Sequence, residues 1–310
     1  QYATRRYGAF SPATQKAWML LLEGPYRQGT NGTEKSSIVA ARPALDVKKS
    51  GPNAGLEIPY DPALIIRAQS LLLEDADKLS ASRPYRFDLV DVQRQMMTNL
   101  GQLIHRKAAE AFWSKDREAF TLHSGRFLGM LADMDTLLRT RSEYSFDRWL
   151  TEARSWGETE EEKNQMERDA TSLVTIWGAD GDPHIFDYSW REWAGLINGY
   201  YLPRWQKFYT MLQQHLDEGT SYEEAGLPQI YGREAFRAND FYHALAEWEL
   251  SYVDTYGKAR IPATEGDEVD IVKRLFKKYF KLSQEYYTDS IKLIKPSRDE
   301  RTYENLGEDL

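Results

Sequence analysis

Cysteine is absent from all 310 residues, which removes disulfides, thiolate catalysis and cysteine-based zinc sites together. No apolar run approaches the roughly 18 residues needed to cross a bilayer, so no membrane span is expected, and Gln1 to Arg6 does not read as a signal peptide. There is no block of Lys and Arg, and 48 acidic against 40 basic residues leave a net charge of -8. That balance excludes nucleic acid as the expected partner and suits an uncharged or cationic one. Zinc-protease motifs, Walker loops, nucleophile elbows and dinucleotide fingerprints are all missing. His105, His123, His184, His215 and His243 stand at no ligand spacing, so no metal and no cofactor is expected.

What is present is a 41% hydrophobic chain with 13% aromatic residues, nine of them Trp and 19 of them Tyr. Such a composition fills an ordinary globular core, and most of the rings are expected to pack there. Helix signals dominate. Ser11 before Pro12 and Asp61 before Pro62 each place a capping side chain ahead of a proline at the first helical position, predicting helices over 12–23 and 62–79. Leu89, Val92, Met96, Leu100 and Leu103 recur every three or four residues, the mark of a long amphipathic helix with one buried stripe over 84–114. Periodicity predicts further helices over 115–139, 145–155 (ended by Gly157), 159–176, 233–256 and 267–287. Ser189 with Glu192 reads as a capping box opening a helix to about residue 217, kinked at Pro203. The expected fold is all-α, an irregular bundle of about eight to ten helices with a long non-helical loop near the N-terminus.

Residues 1–10 read as the end of a helix stopped at Gly8, with Arg5 and Arg6 in its last turn where cations oppose the dipole. A chain opening in mid-helix is expected to be part of a longer protein whose upstream domain is absent here. The helical domain itself spans 11–294 and contains the loop 25–59, in which Ser37 to Leu45 is the one apolar stretch. A loop of that length is expected to be functional or to contact something outside the chain. Residues 295–310 form a polar tail expected to fray.

The periodicity breaks over Trp177 to Tyr188, WGADGDPHIFDY, where two glycines and a proline dictate an irregular loop. Here Trp177, Phe186 and Tyr188 come together with Asp180, Asp182 and Asp187, a combination that suits a sugar ring. Spacing alone favours the plainer alternative, with Trp177 and Phe186 as core anchors and the aspartates as turn and cap residues. Two other clusters have structural readings. Trp190, Trp193, Tyr200, Tyr201 and Trp205 are expected on one helix, largely as core. Asp88, Asp91 and Gln95, with Arg94 nearby, are expected to form a buried ion-pair anchor.

Several segments, in order, carry a family resemblance: RRYG (Arg5 to Gly8), ARPAL (Ala41 to Leu45), YRFDLVDVQRQ (Tyr85 to Gln95), TIWGADGD (Thr175 to Asp182), FDYSWREWAGLINGYYLPRW (Phe186 to Trp205) and GDEVDIVKRLFKKYF (Gly266 to Phe280). Together they resemble the C-terminal helical region of the α-N-acetylglucosaminidases of glycoside hydrolase family 89. The resemblance implies an exo-acting retaining glycosidase whose two catalytic glutamates lie on an upstream barrel, leaving no catalytic residue in this chain and the chain inactive alone. Its implied partners are that barrel and a terminal α-linked N-acetylglucosamine glycan, and its implied setting is exported, periplasmic or lysosomal. It also implies that the helical domain lends one wall of the sugar pocket through Trp177 and Tyr188, with Ile185 and Glu34 as further substrate contacts. Two rivals remain: a stand-alone helical carbohydrate-binding or protein-interaction module, and a self-contained hydrolase using Asp180 or Asp182 with Asp187.

Overall fold

Helices begin where capping side chains can meet the unpaired N–H groups of a first turn. In the computed structural model, which describes residues 1–27, 36–47, 49–50, 54–177, 187–222, 239–259 and 263–287, Ser11 Oγ accepts from the Thr14 N–H at 3.0 Å and opens α2 (Pro12–Glu23). Asp61 does the same from the Ala63 N–H for α3 (Pro62–Glu74). Thr159 and Glu162 form a reciprocal capping box at the start of α8 (Glu160–Leu173). Gly8, in the left-handed region at φ 80°, closes the short first helix α1 (Tyr2–Tyr7), as its position predicts.

The remaining α-helices among the described residues are α4 (Ala76–Leu79), α5 (Arg83–Trp113), α6 (Arg117–Leu138), α7 (Phe146–Arg154), α9 (Leu202–Glu218), α10 (Asp240–Asp254) and α11 (Glu268–Tyr286). Eleven α-helices therefore form an all-α bundle, accompanied by one small antiparallel ribbon pairing β1 (Lys49–Ser50) with β2 (Ala54–Gly55). The helix expected over 62–79 is two helices, because the chain breaks at Asp75. Gly157 does not end α7, whose cap is Ser155. It is instead a close-approach glycine, since a Cβ there would sit 2.5 Å from the Lys163 backbone nitrogen. The tail 295–310 lies outside the described residues.

α5 is the axis of the bundle. It runs against α6 and is flanked by α3 and α11, while α9 packs on α6 and α7 pairs with α8. The expectation of a single buried stripe on α5 is corrected here: Met96 to Gly101 are buried without interruption, because helices and the segment Ser37–Leu45 close around it. At Gly101 a Cβ would meet the Met130 side chain at 2.7 Å and Ile38 at 3.3 Å, so the missing side chain lets neighbours reach the helix backbone.

Ser37–Leu45 is non-helical yet buried throughout, so this part of the loop 25–59 packs into the chain's own core. Irregular backbone in a core must find hydrogen-bond partners that no ladder supplies. Here side chains supply them. Arg204 donates to the Ala40 carbonyl at 2.8 Å, Trp205 to Val39 at 3.4 Å, Tyr242 to Pro43 at 2.9 Å and His105 to Leu45 at 3.2 Å. The anchor expected around α5 is also present. Asp88 takes a two-point bond from Arg6 at 2.6 and 2.7 Å and a third from the Tyr7 hydroxyl at 2.8 Å, fixing α1 to α5. Asp91 accepts from Arg94 and from Tyr144, and Gln95 bonds Asn99.

The bond from His105 to a carbonyl oxygen fixes its tautomer. Nε2 carries the proton, and Nδ1 accepts from the Tyr209 hydroxyl at 2.8 Å. Burial pushes this imidazole down to about 4. A histidine depressed in the folded state stabilises fully above its unfolded value of about 6.5, and that contribution is lost as pH falls toward 4. We expect urea unfolding between pH 7 and 4 to reveal a loss of up to roughly 3 kcal/mol from this group, and His105→Gln to remove that part of the slope. A slope unchanged in the variant would contradict the assignment.

Candidate functional site

The aromatic loop is defined by its neck. After α8, Val174 to Ile176 form a turn in which the Thr175 hydroxyl donates to Thr171 at 2.7 Å, and the Trp177 N–H reaches back to the Ser172 carbonyl at 2.7 Å. Trp177 then adopts φ 46° and Asp187, at the returning end, φ 58°. Both are in the left-handed region that non-glycine residues seldom occupy, and such backbone persists only where surrounding contacts over-determine it. The Asp187 N–H closes the neck on the Thr175 carbonyl at 2.7 Å.

That closure brings two of the four expected substrate residues together. The rings of Trp177 and Tyr188 meet edge to face with centroids 5.0 Å apart and planes at 77°. Trp177 is half-buried and Tyr188 is 40% exposed, so the pair has a core side and an open side. Ile185 and Glu34 lie outside the described residues, as do Asp180, Asp182 and Phe186.

Asp187 is not an open acid. It is fully buried, and its Oδ2 accepts from Arg204 at 2.9 Å. Arg204 also donates to Glu249 Oε1 at 3.0 Å, and Glu249 Oε2 accepts from Arg42 at 3.2 Å. The four make an alternating chain, Asp187, Arg204, Glu249 and Arg42, with every side chain essentially out of water. The guanidinium of Arg204 lies over the rings of Tyr200 at 4.5 Å and Tyr201 at 5.3 Å. Burial pushes the Asp187 carboxyl up to about 6, opposed by the charge and hydrogen bond of Arg204. A carboxylate sealed against a guanidinium has no path to a glycosidic oxygen, so the expectation that Asp187 serves a self-contained hydrolase is corrected.

A second buried carboxylate overturns the capping box expected at Ser189. Glu192 does not turn back to a helix start. It accepts from Ser37, from Arg94 and, at 2.7 Å, from the Thr98 hydroxyl, joining Ser37–Leu45, α5 and the stretch after the aromatic loop. Residues 189–194 form no α-helix. A π-helical turn, Ile197–Tyr201, begins the element, and Pro203 sits in the first turn of α9 rather than at a mid-helix kink. Trp190 and Trp193 consequently lie off the helix that carries Tyr200, Tyr201 and Trp205. Trp193 is partly buried, with its ring 5.7 Å from that of Trp149.

Arg204, Glu249 and Arg42 were missed as site residues, yet the last two left a signal. Glu249 continues the stripe Tyr242, Leu245, Ala246 and Val253, where periodicity calls for an apolar residue. Arg42 interrupts the run Ile38 to Leu45. A charge where the pattern demands a core residue marks a buried pair. Among the described residues no group of three His, Asp or Glu side chains could hold a metal ion, and no helix is long and apolar enough to cross a membrane.

Among the described residues the chain is a predominantly α-helical domain whose aromatic pair stands at a neck tied to the core through a buried chain of ion pairs. The fold matches a family 89 glycoside hydrolase from Clostridium perfringens solved in complex with 2-acetamido-1,2-dideoxynojirmycin, with TM-score 0.77 and 25% identity over 90% of this chain and 31% of that one. The same comparison with the form in complex with its substrate GlcNAc-α-1,4-galactose gives TM-score 0.78 and 25% identity over 92% and 31%. The chain belongs to the α-N-acetylglucosaminidase (NAGLU) C-terminal domain family, whose model matches residues 1–278. It is 31% identical over 285 residues to human α-N-acetylglucosaminidase, a match covering 90% of this chain and 35% of that protein. The chain thus spans about a third of the length of these relatives.

Removing Arg204 leaves Asp187 and Glu249 buried without their shared cation. Arg204→Met is expected to cost about 3–5 kcal/mol of stability, read as a lower midpoint in urea. A loss below about 1 kcal/mol would mean that the network carries little of the fold.

Proposed function

We propose that the intact protein is an exo-acting, retaining α-N-acetylglucosaminidase and that this chain forms one wall of its sugar pocket. The carrying observation is the Trp177–Tyr188 pair, held edge to face at the neck of a pinned loop in a chain of this family. An indole presents a flat apolar face to the C–H surface of a pyranose, and a phenol beside it offers a hydroxyl for sugar oxygens. Both groups suit an uncharged terminal N-acetylglucosamine, and their part in this reading is to bind it.

On the family resemblance, the chemistry is assigned to two carboxyl groups on an upstream barrel, about 5–5.5 Å apart, one as the acid that protonates the leaving oxygen and the other as the carboxylate that forms the covalent glycosyl intermediate. The wall acts by binding and orientation, which raise the rate when the bound sugar is held in a reactive pose. Ile185 and Glu34 are proposed to complete the lining. No cofactor is required for such a displacement.

The test is hydrolysis of a chromogenic α-N-acetylglucosaminide by this chain and by the full-length gene product. Turnover is expected from the long form only, and Trp177→Ala in that form is expected to lower kcat/KM about 10- to 100-fold, equivalent to about 1.4–2.8 kcal/mol. Turnover by the chain alone would refute the placement of the acids. Sugar binding by the chain with no barrel present would favour a stand-alone carbohydrate-binding module.

A further inference from the structure

We propose that Asp187 is a positioning residue for the glycan: its ion pair with Arg204 sets the approach of Tyr188 to Trp177, and it acts on sugar affinity without touching the sugar. This rests on the reading of that ring pair as a sugar-binding surface. Three observations carry it.

Tyr188 is 40% exposed, so packing holds only part of its ring, and its direction depends on the backbone that delivers it. The residue delivering it is Asp187, fixed at φ 58°. A glycine would adopt that conformation without strain, so an aspartate there is held by its contacts. They come from two sides, the Thr175 carbonyl at 2.7 Å on the N–H and Arg204 at 2.9 Å on the carboxylate.

Arg204 in turn cannot follow a displaced loop. It is fixed by the Ala40 carbonyl at 2.8 Å, by Glu249 at 3.0 Å and by the face of Tyr200. The anchor point therefore belongs to the rigid interior. The hold on the carboxylate is a single bond, because Asp187 Oδ1 has no hydrogen-bond partner among the described residues. Weakening it leaves the returning end of the neck tied by backbone alone, through the Asp187 N–H to Thr175 and the Trp190 N–H to the Asp187 carbonyl at 3.4 Å, and removes the side-chain anchor that fixes its direction. Tyr188 would shift relative to Trp177, and the sugar would lose one of its two ring contacts.

The experiment uses the full-length gene product and a chromogenic α-N-acetylglucosaminide, with KM, kcat and thermal midpoint measured for each variant. Asp187→Asn, which keeps the shape but removes the charge, is expected to raise KM about 10-fold and to change kcat less than about 3-fold. In a Tyr188→Ala background the same substitution should raise KM less than about 2-fold further, because its route to the sugar is gone. Asp88→Asn is the control. It weakens a buried carboxylate held by Arg6 and Tyr7, neither of which belongs to the neck or its Arg204 anchor, and should lower the thermal midpoint with KM unchanged.

If Asp187→Asn does not fold, Asp187→Gly carries the test, since glycine takes the left-handed conformation freely and lacks only the anchor. A lower midpoint with unchanged KM, or full additivity with Tyr188→Ala, would overturn the proposal. If Trp177→Ala and Tyr188→Ala both leave KM and kcat unchanged, the sugar-surface reading fails first and the proposal falls with it. If they raise KM and Asp187→Asn does not, the proposal alone fails.

Discussion

Irregular backbone can pass through the middle of a helical bundle only if other groups meet its carbonyls and N–H groups, and Arg204 is where that requirement concentrates. Its guanidinium takes the Ala40 carbonyl of the buried Ser37–Leu45 segment, the Asp187 carboxylate at the neck of the aromatic loop and the Glu249 carboxylate of α10. Three elements far apart in sequence are held by one planar group. Guanidinium suits this work because its donors are fixed in a fork and its weak hydration lowers the cost of burial, whereas an ammonium would offer a mobile point charge. The flanking rings of Tyr200 and Tyr201 add a polarisable wall that further suits the cation.

The same reasoning explains why burial here does not produce a simple pair. One cation faces two carboxylates, and Arg42 balances the second of them. The two guanidinium and two carboxylate charges sum to zero, so this line of ion pairs adds no net charge to the interior. That line ties Asp187, at the neck beside Tyr188, to the core, while Tyr188 itself is 40% exposed.

Local rules and long-range rules were legible to different degrees. The caps at Ser11 and Asp61 lie beside the turns they close, so those helix starts could be read within four residues. The break in periodicity between Trp177 and Tyr188 was also legible, being a local event, whereas the choice of those two rings came from the family resemblance and not from spacing. Glu192 shows the opposite case. Three residues after Ser189, it has the spacing of a capping box, but Ser37, Arg94 and Thr98 offered it a better-satisfied buried position, and those partners are remote in sequence. The path of Ser37–Leu45 through the core was illegible for a related reason. Its apolar character was visible, but the donors that let it enter the core come from α5, α9 and α10.

The π-helical turn at Ile197–Tyr201 has an outcome for the phase of the chain. A π turn is in effect an α-helix with one extra residue, and it shifts the downstream helix by about 100° around the axis. The aromatic spacing across residues 193–205 therefore cannot be read on one helical wheel. Loss of a single residue between 197 and 201 would regularise the hydrogen-bond ladder, yet rotate the preceding chain out of step with α9. The neck and the Arg204 guanidinium would then face different directions. A locally better helix would be a globally worse one, and the irregular turn works as a frame-setting insertion.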